Sequence, residues 1–402
     1  MRSTSRPRSS LGWWLWTALF WVGFFTVGCN EAPAPVKAEV PAARVGPPRG
    51  ACLDAAPSPG HAQNLDSLPL PELLVRLQKP HFVTPPEAPT EVGIALQVFE
   101  IAEIDPATNT FEMEGYLDLV WCDPREGFDP AVVGTDREIF LENDAERELD
   151  FIWWPDFYFV NEVGPRRTEN RELILKPNGT VEYREKFGVR LAANYDMRRF
   201  PFDQQTLEVE IESFAWSTED LRFVLQDQII TFTDDFEIPE WSIIDVEESI
   251  KQKTEPRDQH EYSELLAEIE VRRDPGFYVT KIMLPLGIIV AISWAVFWMI
   301  GDTLADRMSV SFTGVLTSVA YQFIVSESLP RHIYDTFLDG FVLLSFLMMV
   351  FTIMENIVVN SLSLGGRDQV ATRVDQASRV LFPTLYVGSL TWLYFVYLSP
   401  PS

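Results

Sequence analysis

Residues 306–330 read DRMSVSFTGVLTSVAYQFIVSESLP, apolar enough for a bilayer yet carrying one stripe unsuited to lipid. Steps of four and three from Ser309 reach Thr313, Leu316, Ala320, Phe323 and Glu327. On a helix these positions share a face, because 3.5 residues is close to one turn. Asp306 stands just before the stripe; two hydroxyls and three apolar side chains follow, and a second acid closes it. Two readings fit. The stripe is the wall of an ion pore if identical helices ring an axis, or it is the buried face of one amphipathic helix in a membrane bundle. The choice falls to the rest of the chain.

Three more stretches flank this one with the length of a membrane span, at about 280–300, 337–362 and 380–399. The first holds an unbroken apolar or small run at 282–300, about 28 Å of helix, enough to cross. Asp339 and Glu355 fall inside the 337–362 stretch. Polar groups so placed face protein or water rather than lipid. Arg307, Arg367, Arg373 and Arg379 lie in loops on one side, against Arg331 alone between the second and third spans. The positive-inside rule then puts both termini outside the cytoplasm.

Upstream, residues 81–274 change to a period of two. Ile94, Leu96 and Val98 alternate, as do Phe111, Met113, Gly115, Leu117, Leu119 and Trp121, with a turn-like DPATN at 105–109 between them. Asn178-Gly179 marks a hairpin, and alternating runs recur around Leu207, Leu221 and Ile269. Many short strands without a helical period predict an immunoglobulin-like all-β sandwich. Residues 29–80, rich in Pro and Ala, read as a flexible linker with a short amphipathic helix at 68–77. Residues 1–28 read as an export signal: Arg2, Arg6 and Arg8, then an apolar stretch. The TVGC at 26–29 resembles a lipobox, so lipidation of Cys29, ordinary cleavage and retention as an anchor are all open.

The formal net charge of −27 excludes nucleic acid as a partner. From Phe277 onward 6 Lys and Arg face 8 Asp and Glu, so nearly all the negative charge precedes the membrane region. Such a domain attracts cations, and calcium or another divalent ion could bind and modulate it. Cys29, Cys52 and Cys122 form neither a disulfide framework nor a metal cluster by spacing. The four histidines are scattered, and no HExxH, GxSxG or Walker loop occurs. The chain reads as a non-enzyme without a cofactor.

Local motifs then decide between the two readings of the stripe. WCDPR at 121–125 with FDP at 128–130, WWPD at 153–156 with Asn161, and DMRRFPFDQQ at 196–205 stand in order, followed by Pro285 and ASRVLFP at 377–383. In these the chain resembles the pentameric ligand-gated ion channels, the Cys-loop receptor superfamily, over about residues 85–400. Two departures point to the bacterial branch. Ala193 and Leu207 stand where animal receptors carry the bridging cysteines, and the long cytoplasmic domain of animal members is missing.

The resemblance implies a homopentamer with a four-helix transmembrane bundle. It would sit in a bacterial inner membrane, its extracellular sandwich and C-terminus in the periplasm, among lipids and permeant monovalent cations. Asp306, Ser309, Thr313 and Glu327 would line and select, and Leu316, Ala320 and Phe323 would gate. The absence of a Pro-Ala insertion at the inner mouth speaks for cations, and Arg307 is expected to point away from the lumen. Asp306 could also serve as a helix N-cap. Asp105, Phe200, Pro201, Asp203, Arg273 and Pro330 would couple the two domains, Asp203 and Arg273 as a buried ion pair. Tyr116, Val160, Phe214 and Tyr262, the last on a capping loop at 246–262, would hold a small ligand, with protons as the other trigger. A membrane-tethered sandwich that senses without conducting, and an anion-selective channel, are the rival readings.

Overall fold

The computed structural model describes residues 51–52, 84–232, 236, 238–299, 303–327 and 335–399, without the side chains of 226–229 and 324–327. The export signal, the helix expected at 68–77, nearly all of the linker, and Pro330 lie outside the described residues.

Ten strands are described: β1 (Thr90–Asp105), β2 (Thr110–Cys122), β3 (Glu138–Leu141), β4 (Phe157–Phe159), β5 (Arg167–Leu175), β6 (Thr180–Ala192), β7 (Gln204–Ser213), β8 (Leu221–Phe232), β9 (Trp241–Thr254) and β10 (Glu261–Arg273). They build one sheet in the order β3-β5-β6-β2-β1-β8 and another in the order β4-β7-β10-β9. The sandwich follows from the period of two. On β2, Phe111, Met113, Leu117 and Leu119 are fully buried, while Glu112, Glu114, Tyr116 and Asp118 between them are half-buried. Asp105 builds the β1–β2 turn by accepting from the Ala107 amide (2.8 Å) and the Thr108 hydroxyl (2.6 Å); Asn109 takes the left-handed conformation that closes it. At the β5–β6 hairpin Gly179 has φ +86°, and a Cβ there would meet the Asp123 carbonyl at 2.6 Å.

The WCDPR and WWPD motifs and Asn161 turn out to belong to the sandwich core and its seams. Trp121 meets Trp153 edge-on at 6.0 Å between ring centres, and Trp153 meets Trp216 at 5.9 Å. Arg125 forks onto the buried Asp123 carboxylate at 2.8 and 2.7 Å. Asn161 donates to Ala192 O on β6 (3.0 Å) and Glu208 O on β7 (2.8 Å), stitching one sheet to the other.

Two expectations about the upstream residues are corrected. Cys52 and Cys122 are bonded as a disulfide across 70 residues of sequence. Cys52 also belongs to the body of the sandwich: it is buried, its amide donates to Thr180 Oγ1 (3.0 Å), and its carbonyl accepts from Asn178 Nδ2 (3.2 Å). Spacing within a motif could not reveal this, because the pair forms only after β2 and the β5–β6 hairpin come together.

Among the described residues four long helices follow the sandwich: α1 (Gly276–Trp298), α2 (Leu304–Glu327), α3 (Phe337–Leu364) and α4 (Asp368–Leu398). Helix α4 starts well before the expected residue 380, and only residues 365–367 separate it from α3. Asp339 is explained as the capping-box partner of Thr336 at the start of α3. Among the described residues α1, α3 and α4 are long and apolar enough to cross a membrane on their own. Helix α2 is not among them, so three of the four expected spans meet that measure. Its stripe of acids and hydroxyls lowers its hydropathy, so it enters a bilayer only with that stripe turned from lipid.

Candidate pore and ligand site

Helix α2 has two unlike sides. Asp306, Ser309, Thr313, Leu316, Ala320 and Phe323 are all exposed, Leu316 to 72% and Phe323 to 71%. Arg307, Ser311 and Ser318 on the other side are buried. Ser311 accepts from Asn356 Nδ2 of α3 at 2.8 Å, and a Cβ on Gly314 would sit 3.6 Å from Ser293 of α1 and 3.9 Å from Met349 of α3. The expected stripe is therefore the face that this chain's own helices leave uncovered. Glu327 ends the helix, its side chain outside the described residues.

Asp306 is not the N-cap. That place belongs to Thr303, whose amide (3.1 Å) and hydroxyl (2.6 Å) both donate to Asp306 Oδ2. Asp306 is the third helical residue, where a carboxylate also opposes the positive end of the helix dipole. The capping contacts use Oδ2 only. One turn on, Thr313 Oγ1 donates to Ser309 O and Thr317 Oγ1 to Thr313 O, each at 2.7 Å. With their hydrogens bonded back to the helix, these hydroxyls can offer only lone pairs to anything passing.

Arg307 turns inward among the helices. Its Nη2 lies 2.6 Å from Asp375 Oδ1 on α4 and 3.6 Å from Glu355 Oε2 on α3. This grip holds the first turn of α2 against two other helices, with the neighbouring Asp306 on the exposed side.

At the other end of the bundle the 193–203 loop meets the helices. Arg273 forks onto Asp203 at 2.9 and 3.2 Å, the side chains 5% and 1% exposed. Its guanidinium also lies over Phe200 (4.9 Å) and Trp241 (4.1 Å). Gln205 Nε2 donates to Asp203 Oδ2 at 2.8 Å. Phe200 meets Tyr278 of α1 at 4.6 Å, Phe202 meets Phe337 of α3 at 5.6 Å, and Arg198 O accepts from the Phe337 amide at 2.9 Å. Pro201 is buried within this loop. Asp105 caps its own turn, and the 328–334 linker it was expected to meet lies outside the described residues.

The expected ligand residues separate into two groups. Phe214 and Tyr262 are drawn together by Arg257, whose guanidinium lies 4.8 Å from one ring and 4.4 Å from the other. Tyr158 joins them edge-on to Phe214 at 5.9 Å and donates to Glu212 Oε1 at 3.2 Å. Val160 lies two residues beyond Tyr158, its amide bonded to Glu210 O. Tyr116 is on the other sheet, 5.6 Å from Phe99, and is not brought to this cluster within one chain. The capping loop is mostly the β9–β10 ladder, with Tyr262 paired to Lys253, so only residues 255–260 form the turn. Tyr158, Glu212 and Arg257 were missed by sequence reasoning. The signal for two of them was modest: Tyr158 lies two residues before Val160, and Glu212 two before Phe214.

Glu212 is the floor of this cluster, its side chain fully buried. Burial, then the Glu255 charge, push its carboxyl up to about 7, against the Tyr158 hydrogen bond and the Arg257 and Lys253 charges.

Two family models match the chain. Residues 73–275 match the neurotransmitter-gated ion-channel ligand binding domain, and residues 282–382 match the neurotransmitter-gated ion-channel transmembrane region. The chain is also similar to a proton-gated ion channel of Gloeobacter violaceus, 25% identical over 319 residues, covering 78% of this chain and 86% of the relative.

Proposed function

Because the chain belongs to the neurotransmitter-gated ion-channel family, a family of ligand-gated channels and not of enzymes, we propose that it forms a cation-selective homopentameric channel with α2 lining the pore. The observation that carries this reading is the uncovered stripe on α2. Five copies around an axis would stack Asp306, Ser309 and Thr313 as rings of oxygen acceptors, with Glu327 at the outer end. Acid rings attract cations and repel chloride. Leu316, Ala320 and Phe323 are the proposed gate, since apolar rings hold water poorly and stop ions by dewetting. The channel sits in the bacterial inner membrane, with the sandwich and the C-terminus in the periplasm.

Reconstitution in bilayers, with reversal potentials measured in salt gradients, tests the proposal. Wild type should reverse near the cation equilibrium, and Asp306→Asn should move reversal toward zero as cation preference falls, about tenfold or more in permeability ratio. Reversal at the chloride equilibrium would establish the anion-selective reading instead. Absence of current from assembled protein under every trigger would favour the non-conducting sensor.

The trigger acts on the sandwich, through a small ligand in the Tyr158–Phe214–Tyr262 cluster or through protons. The proton-gated relative and Glu212 support the second. Glu212 faces Tyr158 of β4, Lys253 of β9, its ladder partner Glu264 of β10, and Glu255 and Arg257 of the turn; Glu210 and Asp258 reach it only through Lys253 and Arg257, which they pair with. Its folded carboxyl titrates near 7 against an ordinary 4.5, so between those values the folded chain binds the proton that the unfolded chain has released. Stability from this group therefore rises as pH falls from about 7 to 4.5 and is flat on either side. Melting temperatures across pH 4.5–8 should show wild type gaining on Glu212→Gln upon acidification in that window; parallel curves would remove Glu212 as a titrating group.

A further inference from the structure

The cluster under the β9–β10 turn has the chemistry of a cation site. Phe214, Tyr158 and Tyr262 supply aromatic faces and edges. Glu212 supplies a carboxylate with no exposure, and its Oε2 is buried without a hydrogen bond while Oε1 accepts from Tyr158. Aromatic faces attract cations, and a buried acid with an unbonded oxygen demands one. That demand is met from within the chain. Arg257 Nη2 lies 3.8 Å from Glu212 Oε1 and donates to Phe214 O at 2.8 Å, and Nε lies 3.6 Å from Asp258 Oδ2. Its planar guanidinium covers both the Phe214 and Tyr262 rings.

The fit is incomplete in a telling way. At 3.8 Å the Glu212 contact is longer than a charge-assisted hydrogen bond of about 2.7–2.9 Å. Arg257 remains 31% exposed and is carried by a six-residue turn at 255–260, on an edge strand whose ladder partner is β10 alone. Withdrawing it requires a change in that turn and none in the two sheets.

We propose that Arg257 is a tethered occupant of this cation site, and that an external planar cation of the alkylguanidinium class binds there by displacing it. The inference rests on the reading of this cluster as the ligand site. It adds that the site is self-filled when ligand is absent, so the arginine competes with the ligand. Lysine would compete less well, because its compact ammonium lacks the flat fork that covers two rings and reaches a carbonyl together.

Methylguanidinium is the probe, and calorimetric titration of purified full-length protein is the readout, separate from current. Arg257→Ala should bind it at least about tenfold more tightly than wild type, equivalent to about 1.4 kcal/mol. Arg257→Lys should fall between them, and adding Glu212→Gln to Arg257→Ala should abolish the gain. Arg257→Gln serves in the same way if the alanine variant does not assemble. Equal affinity in wild type and the neutral variants, or no binding by the neutral variants, would overturn the inference. Tight binding by Arg257→Ala without any current upholds the tethered occupant and refutes the channel-opening role of the site, so the two failures are distinguishable.

Discussion

Arg273→Ala should destabilise the protein by about 3–5 kcal/mol and leave surviving protein unresponsive to its extracellular trigger. The magnitude comes from what is left behind. Asp203 is 1% exposed, and once the guanidinium is gone its charge keeps, among the described residues, only Gln205 Nε2 as a side-chain donor. Asp203→Ala strands the complementary charge and should cost a similar amount. The double variant should cost less than the two single losses together, because neither charge is then left alone. Arg273→Lys should not rescue, since the fork onto Asp203 and the stacking over Phe200 and Trp241 both need a planar group. The functional loss follows from position. The loop that Asp203 closes touches the first turns of α1 and α3 through Phe200 and Phe202. Melting curves of the four proteins, with currents from those that assemble, check both parts. A stable but silent Arg273→Ala would confine the pair to signalling, and a stable, responsive one would refute its role.

Arg307→Ala should have an effect of similar size at the other end of the bundle. One guanidinium there faces two carboxylates, Asp375 at 2.6 Å and Glu355 at 3.6 Å, with side chains 17% and 6% exposed. Removing it leaves two acids facing each other among helices, at a cost of about 3–5 kcal/mol. Glu355→Gln keeps the shorter Arg307–Asp375 pair and removes one of the two like charges, so it should be tolerated far better. Because Arg307 pins the turn that carries Asp306, the alanine variant should also blur charge selectivity in whatever protein survives. Thermal stability of the purified variants and reversal potentials in the same salt gradients give the two readouts. A full-strength melt for Arg307→Ala would show that the acids are neutralised by something other than this arginine.

Much of the architecture was legible because it is periodic. A period of two put Phe111, Met113, Leu117 and Leu119 on one face of β2 whatever that face was packed against. A step of three and four put Ser309, Thr313, Leu316, Ala320 and Phe323 on one face of α2, and that is the face left exposed. Turn chemistry was equally local, as at Asp105 and Gly179. The Asp203–Arg273 pair was reached by a different route, from motif resemblance, since nothing in the spacing of two residues 70 positions apart predicts a contact.

What local pattern could not supply was partnership between distant segments. Cys52 and Cys122 looked unpaired because disulfide partners are chosen by where strands end in space, not by separation along the chain. Arg257 looked like an ordinary charged turn residue, and only the folding of β9 onto β10 beside β7 lays it over Phe214, Tyr262 and Glu212. Glu355 read simply as an acid in a span until α2 and α4 brought Arg307 and Asp375 to it. The sequence by itself determined which faces are apolar and which residues turn the chain, because those depend on neighbours one helical turn or one strand step away. The tertiary structure alone decided which charges meet, because an ion pair or a cation over a ring acts over a few ångströms of space and is blind to sequence distance.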